Sequence, residues 1–301
     1  MKVGMIGLGR MGGNMAQRLM RGGHQVVGFD PMAGARQTLE AQGAEAVESL
    51  VMLVAKLPMP RTLWLMVPAG AITDATLSTL LPLLAAGDTV VDGGNSNYHD
   101  TLRRAGTFSG HHVTYIDCGT SGGVWGLAEG YSLMIGGDET AVGRLRPLFE
   151  TLAPAKDRGW GRVGPVGSGH YTKMIHNGIE YGLMQAYAEG FSILQHKTGF
   201  GFDLHQVAEI WRHGSVVRSW LLDLTAAALE ENPAMTGIAA HVEDSGEGRW
   251  AVAEAIELDV AAPVITLSLL ERLRSRDKDS YTDKLLAAMR QRFGGHSIRK
   301  E

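Results

Sequence analysis

The chain has 301 residues, of which 45% are hydrophobic and 20% are charged, and its formal net charge is −4. These values are typical of a soluble globular protein with room for two domains, and they argue against a nucleic-acid or membrane surface. No run of 18 apolar residues and no signal-peptide pattern is present, so we expect a cytoplasmic protein without a membrane span. The single cysteine, Cys118, excludes an internal disulfide framework and is expected to be a small buried side chain.

Strands and helices alternate along the first half of the sequence. Apolar runs predict strands at 3–7, 25–29, 62–67, 89–91, 112–117 and 133–135. The segments between them predict helices at 14–21, 33–42, 72–84 and 100–110. Alternation of this kind is typical of an α/β fold, and we expect a Rossmann-type, doubly wound parallel sheet with right-handed crossovers.

The pattern changes within residues 159–169, which contain five glycines and one proline. Beyond them the strand pattern disappears, and helices are predicted within 170–197, 203–231, 249–258 and 263–293. We therefore expect a dinucleotide-binding domain over 1–165, followed by a helical domain over 166–301 that binds substrate and forms a dimer. Large apolar residues of the helical domain, such as Trp211, Trp220 and Met184, are expected in its core or at a subunit interface.

A glycine-rich turn follows the first predicted strand and reads Gly7-Leu8-Gly9-Arg10-Met11-Gly12. Between a strand and a helix, this GxGxxG pattern is typical of a turn that binds the pyrophosphate of a dinucleotide. Asp30 ends the second predicted strand, where a carboxylate can accept hydrogen bonds from a ribose diol and repels the 2′-phosphate of NADP. We therefore predict NAD as the cofactor, with NADP disfavoured by Asp30. The same carboxylate could also cap the following helix.

Three further loops follow predicted strands: Val67-Pro68-Ala69-Gly70, Asp92-Gly93-Gly94-Asn95-Ser96 and Ser121-Gly122-Gly123. Each loop alone could be a simple turn. Ligands of open α/β sheets bind at the carboxyl ends of the strands. We therefore predict that these loops and the glycine-rich turn lie along one edge of the sheet and share a cleft.

The helix predicted from residue 170 carries an unusual polar stripe. At about 100° per residue, one face presents Lys173, His176, Asn177, Glu180 and Tyr181. An amine, an imidazole, an amide, a carboxyl group and a phenol together suit proton transfer on a polyhydroxylated substrate. A solvated helix face is the alternative interpretation of the stripe alone.

Four segments together resemble the 6-phosphogluconate dehydrogenase family: the glycine-rich turn, residues 90–96, the Ser121 loop and residues 173–181. The resemblance runs over nearly the whole chain. Its Asp-Gly-Gly-Asn-Ser and His-Asn-Gly-Ile-Glu-Tyr strings are specific to that family, whereas the wider β-hydroxyacid dehydrogenase group shares the glycine pattern and the lysine. The length is similar to that of the short form, which has one copy of the helical unit.

The resemblance implies a role for each matching residue. Lys173 is expected to be the general base and acid, and Glu180 the second acid. Substrate is expected to contact Asn95, Ser121, Gly122, Gly123, His176, Asn177, Tyr181, Arg272, Arg290 and His296, the last two from the tail of a neighbouring subunit. NAD is expected to contact Gly7, Leu8, Gly9, Arg10, Met11, Gly12, Asp30, Val67, Pro68 and Asn95. The resemblance further implies a homodimer or homotetramer and no metal ion.

The expected reaction is oxidation and decarboxylation of 6-phosphogluconate, a sugar-acid phosphate, to ribulose 5-phosphate. One departure from the family concerns the phosphate: Ser245 and Glu247 stand where the long form has lysine and threonine. A carboxylate facing a phosphate is unfavourable, so either Glu247 points away or the phosphate site is rebuilt. The alternatives are a 3-hydroxy acid dehydrogenase that acts on a hydroxyisobutyrate- or tartronate-like acid without decarboxylation, and a non-catalytic NAD-binding protein.

Overall fold

The computed structural model describes residues 1–294 and 297–299, and these form two compact units, Met1–His176 and the described residues from Asn177 onward. The strands are β1 Lys2–Ile6, β2 Gln25–Phe29, β3 Glu45–Val47, β4 Thr62–Leu65, β5 Thr89–Asp92, β6 Thr114–Ser121, β7 Ser132–Gly136 and β8 Trp160–Gly164. The first seven helices are α1 Arg10–Arg21, α2 Ala33–Ala41, α3 Leu50–Ala55, α4 Ala71–Leu80, α5 Tyr98–Ser109, α6 Gly126–Glu129 and α7 Glu139–Leu152. The long helix α8 Ser168–His196 contributes to both units.

The eight strands form one sheet in the order β3-β2-β1-β4-β5-β6-β7-β8. The order reverses direction after β1, as a doubly wound sheet requires. The predicted Rossmann-type fold is confirmed. One detail of the prediction is wrong, because β7 pairs antiparallel with β6, with Cys118 opposite Ile135. The connection from β6 to β7 contains only a short helix, α6, which cannot provide the long crossover that a parallel pair needs.

Helices cover both faces of the sheet because successive strand residues point to opposite sides. Met5 packs with side chains of α1 and α7 in one core, which also contains the buried Cys118. Its neighbour Ile6 packs with side chains of α3, α4 and α5 in the other core. Burial on both faces explains why these strands read as continuous apolar runs. The prediction that Cys118 is a small buried side chain is confirmed.

Five elements of the first unit were not predicted from the sequence: β3, α3, α6, α7 and β8. The strand β3 has only three residues, and β8 contains two glycines, which weaken any strand pattern. Helix α7 carries Pro147 in its interior, where proline removes a hydrogen bond and argues against a helix. Asp138 caps this helix by accepting from the N–H of Ala141, and its buried leucines hold it against the sheet.

The second unit is helical, with α9 Leu204–Arg212, α10 Trp220–Glu231, α11 Glu247–Glu257, α12 Pro263–Arg274 and α13 Tyr281–Gly294. A small core forms around Phe191, Ala208 and Leu222. Trp211 packs against this core, whereas Trp220 and Met184 are 46% and 40% exposed. Within the described residues, none of the helices combines the length and the hydropathy that a membrane span needs.

Candidate active site

The glycine-rich turn joins β1 to α1, and its glycines meet different requirements. Gly7 has a φ of +91°, and a Cβ there would lie 2.4 Å from the carbonyl oxygen of Met66. A Cβ on Gly12 would lie 1.9 Å from the carbonyl oxygen of Gly7, so α1 can pack this closely only with glycine. A Cβ on Gly9, which caps α1, would meet nothing within 4 Å. This open space at a helix N-terminus fits a pyrophosphate, because main-chain N–H groups and the helix dipole favour an anion there.

Asp30 follows β2, and its carboxylate is tied to the glycine-rich turn. Its Oδ2 accepts a hydrogen bond of 2.8 Å from the N–H of Leu8, and its Oδ1 accepts one of 2.8 Å from Met32 at the start of α2. Arg36 donates to the main-chain carbonyl of Asp30 at 2.8 Å and lies 3.7 Å from Glu48. Asp30 therefore presents a carboxylate beside the turn. It does not cap α2, because the N-cap of that helix is Met32 and no described side chain accepts from its first turn.

The carboxyl ends of β1, β2, β4, β5 and β6 lie along one edge of the sheet, because these strands are parallel and in register. That edge carries the glycine-rich turn, Asp30, residues 67–70, Asn95 and the Ser121 loop. Asn95 is exposed and Ser121 is half-buried, so a ligand can reach their side chains. The predicted shared edge is confirmed by the strand register, while the roles of the individual residues stay predictions.

A buried polar network behind Asn95 was missed by the sequence analysis. Asp92 ends β5 and accepts hydrogen bonds from the hydroxyls of Tyr115 at 2.9 Å and Ser96 at 3.0 Å. Arg104, which is 3% exposed, donates to Ser96 at 2.9 Å. Burial and the neighbouring Asp92 raise the pKa of Tyr115 well above its usual value, so the phenol stays a neutral donor. The network fixes the segment that presents Asn95. An acid at the end of a buried strand was its signal in the sequence.

Lys173 lies near the start of α8, where this helix packs closely on β6. Asp117 of β6 is fully buried, and it accepts hydrogen bonds of 2.7 Å from the N–H of Gly167 and 2.8 Å from that of His170. It therefore satisfies the first N–H groups of the helix. A Cβ on Gly119 would lie 2.4 Å from the Cβ of Lys173, so glycine is needed for this approach.

The polar stripe of α8 is largely withdrawn from water. Lys173 is 6% exposed and Asn177 is 8% exposed, while His176 and Glu180 are half-buried. The Nζ of Lys173 lies 3.3 Å from the Nδ1 of His176. A hydrogen bond between these nitrogens requires one of them to donate and the other to accept. This burial contradicts the alternative of a solvated face, and it leaves an amine and an imidazole that can exchange a proton.

Tyr181 forms a second polar group within the second unit. Its hydroxyl lies 3.4 Å from the Oγ of Ser245 and 3.5 Å from a carboxylate oxygen of Asp244. The guanidinium carbon of Arg272 lies 3.5 Å from the centre of the Tyr181 ring, which is a cation–π contact. A Cβ on Gly248 would lie 2.4 Å from the ring, so the first turn of α11 packs directly on it. The structure thus brings together Tyr181 and Arg272, two of the residues that were expected to contact substrate.

Glu247 does not point into water. It is 6% exposed, and its Oε2 is buried with no hydrogen-bond partner among the described residues. It lies in the first turn of α11, where the helix dipole favours a carboxylate. Nearby, Arg249 pairs with Asp244. Burial alone would raise the pKa of Asp244, but hydrogen bonds from Arg249 and from the N–H of Gly246 lower it below its usual value.

The remaining predicted residues lie in the segments where the sequence suggested, except that α1 begins at Arg10 and not at residue 14, so Arg10 and Met11 are helical. Val67 and Pro68 follow β4, and Gly122 and Gly123 follow β6. Arg290 is exposed on α13. His296 lies outside the described residues.

Comparison with known proteins gives a consistent result. Residues 2–161 match the family model for the NAD binding domain of 6-phosphogluconate dehydrogenase, and residues 169–284 match that for its C-terminal domain. A relative from Haloferax volcanii, named as an NAD(+)-dependent, decarboxylating 6-phosphogluconate dehydrogenase, is 45% identical over 302 residues, which cover 100% of this chain and 99% of the relative.

Solved structures extend the comparison. The Plasmodium falciparum 6-phosphogluconate dehydrogenase, described in its apo form and in complexes with NADP+ and with 6-phosphogluconate, has a TM-score of 0.84 at 27% identity. The match covers all of this chain, which spans 66% of that protein. A 3-hydroxyisobutyrate dehydrogenase of Mycobacterium tuberculosis has a TM-score of 0.72 at 23% identity, over 89% of this chain and 90% of that one. The second likeness shows a shared fold alone.

Proposed function

The chain belongs to the 6-phosphogluconate dehydrogenase family, and on that premise we propose that it converts 6-phosphogluconate and NAD to ribulose 5-phosphate, carbon dioxide and NADH. The observation that carries this proposal is the buried Lys173 beside His176, on a helix packed against the strand that ends in the Ser121 loop. A buried amine within hydrogen-bond reach of an imidazole is suited to move a proton from a substrate hydroxyl.

In the proposed reaction, Lys173 accepts the proton of the 3-hydroxyl group of the sugar acid. Bound NAD supplies the chemistry of a hydride acceptor. The protonated lysine then donates its proton to the 3-oxo oxygen, on which negative charge develops as carbon dioxide leaves, and an enediol forms. Glu180 donates a proton to C1 of this enediol while Lys173 accepts the proton of the enediol hydroxyl, which restores the ketone. Asn95, Ser121, Gly122, Gly123, His176 and Asn177 hold the sugar acid, while Tyr181 and Arg272 hold its phosphate.

NAD fits the residues present, because the space beside Gly9 is open and lies at the start of α1. A side chain at position 9 would fill this space. The carboxylate of Asp30 beside the turn supports NAD over NADP. The dependence of the Haloferax relative on NAD(+) agrees with this preference.

We also propose the coarser organisation that the sequence suggested. Residues 1–165 would bind the cofactor, and residues 166–301 would bind substrate and join subunits; the two family matches support a division in this region. We further propose a homodimer or homotetramer in which Arg290 and His296 serve a neighbouring site. We also propose a location in the cytoplasm.

One assay tests the reaction. Purified protein is incubated with NAD and 6-phosphogluconate, and NADH and carbon dioxide are measured together. We expect equal amounts of the two products, with ribulose 5-phosphate as the sugar. NADH without carbon dioxide would support the 3-hydroxy acid dehydrogenase alternative, and binding of NAD without turnover would support the non-catalytic one.

A further inference from the structure

His170 is a buried histidine that the reaction outlined above does not use. It lies on α8, one turn before Lys173, and is 2% exposed. Its Nδ1 lies 2.7 Å from the hydroxyl oxygen of Thr101 on α5. Its Nε2 is buried with no hydrogen-bond partner among the described residues. A polar atom left unpaired in a protein interior is costly, so the burial of His170 requires a physical explanation.

The hydrogen bonds around Thr101 determine which nitrogen of His170 carries the proton. The Thr101 hydroxyl also lies 3.2 Å from the main-chain carbonyl oxygen of Asn97, to which it can donate its single hydrogen. If it does, Nδ1–H of His170 donates to Thr101 and Nε2 keeps only a lone pair. The opposite arrangement would leave a buried Nε2–H without an acceptor, which is the costlier state. Of the two neutral tautomers, the one with hydrogen on Nδ1 is therefore favoured.

The resulting chain of hydrogen bonds runs from His170 to Thr101 and on to Asn97. Asn97 caps α5 by accepting from the N–H of His99, and it lies two positions after Asn95. The main chain of His170 is held separately, by its N–H bond to Asp117. Tyr171 and Tyr98 add an edge-to-face contact between the same two helices, with ring centres 5.1 Å apart. The start of α8 is thus attached both to β6 and to the start of α5.

We propose that His170 is a positioning residue for the reaction. By donating through Nδ1–H to Thr101, it holds Lys173 on α8 in register with Asn95 in the loop before α5. Both of those residues are assigned to the substrate in the proposed function, on which this inference rests. Errors of about 1 Å in such a register can slow a reaction roughly a hundredfold.

Two matched pairs of variants test the hydrogen bond. Thr101→Val and His170→Gln remove the contact, whereas Thr101→Ser keeps the hydroxyl and His170→Asn keeps an N–H near the place of Nδ1. With 6-phosphogluconate and NAD, we expect the first pair to lower kcat roughly ten- to a hundredfold, with a smaller change in KM. The second pair should recover most of that loss. Thermal unfolding of all four full-length variants measures folding separately.

A loss of kcat in proportion to the loss of thermal stability, equal for Thr101→Val and Thr101→Ser, would overturn the proposal. So would values of kcat within twofold of wild type for Thr101→Val and His170→Gln. The readout independent of turnover is the nitrogen NMR spectrum of histidine-labelled protein, with the His170 signal identified by its loss in His170→Asn. We expect a protonated Nδ1 and an unprotonated Nε2 in the wild type, and a change in this balance in Thr101→Val.

A spectrum with hydrogen on Nε2 would overturn the donor assignment, whatever the kinetics. If wild-type protein gave no NADH from 6-phosphogluconate, the proposed function would fail, and the histidine spectrum would still report on the hydrogen bond. The two failures are therefore distinguishable.

Discussion

Lys173 shows how burial changes what a charged side chain is available to do. In water, a lysine is a hydrated cation with no particular partner. Here it is 6% exposed, and its amine contacts an imidazole that can share a proton with it. Arginine would keep the positive charge at this position but could not release a proton, because a guanidinium stays protonated in proteins.

Replacing Lys173 tests the proton-transfer role directly. We expect Lys173→Met and Lys173→Arg each to lower kcat by about two to four orders of magnitude, which is the usual contribution of general acid–base catalysis. NAD affinity, measured by fluorescence titration, should change less than about twofold, because the glycine-rich turn is intact. Retention of substantial activity in Lys173→Arg would show that charge, not proton transfer, is what the site needs.

Asp30 acts at the adenosine end of the cofactor, so its replacement should change cofactor preference. Asp30→Asn keeps an oxygen that can accept from Leu8 but removes the charge. We expect the ratio of kcat/KM for NAD to that for NADP to fall roughly tenfold, the equivalent of about 1.4 kcal/mol of lost discrimination. Asp30→Ala should lower the ratio as well and also weaken NAD binding, because the contact to the turn is lost. An unchanged ratio in both variants would argue against the assigned role.

Glu247 is a buried carboxylate near groups that are proposed to hold phosphate. Its Oε2 has no partner among the described residues. We expect Glu247→Gln to lower KM for 6-phosphogluconate about three- to tenfold, because roughly 1 kcal/mol of repulsion is removed. Glu257→Gln, at the exposed end of the same helix, is the control and should leave KM unchanged. A higher KM in Glu247→Gln would instead mean that the carboxylate accepts a hydrogen bond from the substrate.

At the scale of elements, the packing of α8 on β6 decides where the catalytic residues lie. Asp117 satisfies N–H groups at the start of the helix, and Gly119 allows its backbone to approach. Neither interaction joins residues close in sequence. The helix is therefore positioned by a strand that lies about fifty residues earlier in the sequence.

Gly119→Ala should disturb this packing. The added Cβ would lie 2.4 Å from the Cβ of Lys173 and 2.7 Å from the carbonyl oxygen of Gly169. Because both are rigid neighbours, we expect a loss of about 1–3 kcal/mol in the free energy of unfolding, together with a fall in kcat. Gly106→Ala is the control: its Cβ would meet nothing within 4 Å on α5, so it should be neutral or stabilise by up to about 1 kcal/mol. Equal unfolding energies for the two variants would contradict the proposed close approach.

At the scale of the whole molecule, the second unit presents apolar side chains that a single chain leaves uncovered. On α13, Tyr281 is 74% exposed, and Leu286 and Met289 are each 49% exposed. Exposed apolar surface of this kind commonly marks a subunit interface. It agrees with the prediction that Arg290, on the same helix, serves a neighbouring subunit.

Mixing two inactive or weakly active variants tests that prediction. Lys173→Met and Arg290→Ala subunits are denatured together and refolded, so that mixed dimers form. If the tail acts on the neighbouring site, each mixed dimer contains one site with both residues intact, and activity should rise to about a quarter of the wild-type value. If Arg290 acts within its own chain, mixing restores nothing. Each variant refolded alone is the control.

The sequence by itself determined the features that depend on neighbours in the chain. The glycine-rich turn, Asp30 at the end of a strand and the polar stripe from Lys173 to Tyr181 were all readable, because turn chemistry and helical periodicity are short-range properties. These features also carry the family resemblance, which the comparisons confirm. The antiparallel pairing of β7 could not be predicted from the sequence, because the direction of a strand depends on which strands it pairs with.

The tertiary structure alone decided which distant residues support the site. Asp117 reaches the start of α8, Arg104 and Tyr115 enclose Asp92, and His170 meets Thr101 across 69 residues of sequence. Hydrogen bonds and close packing of this kind form only after the sheet has brought separate segments together. Apart from Asp92, an acid at the end of a buried strand, these residues carry no local pattern, since an acid or a histidine in a strand or helix is ordinarily exposed to water.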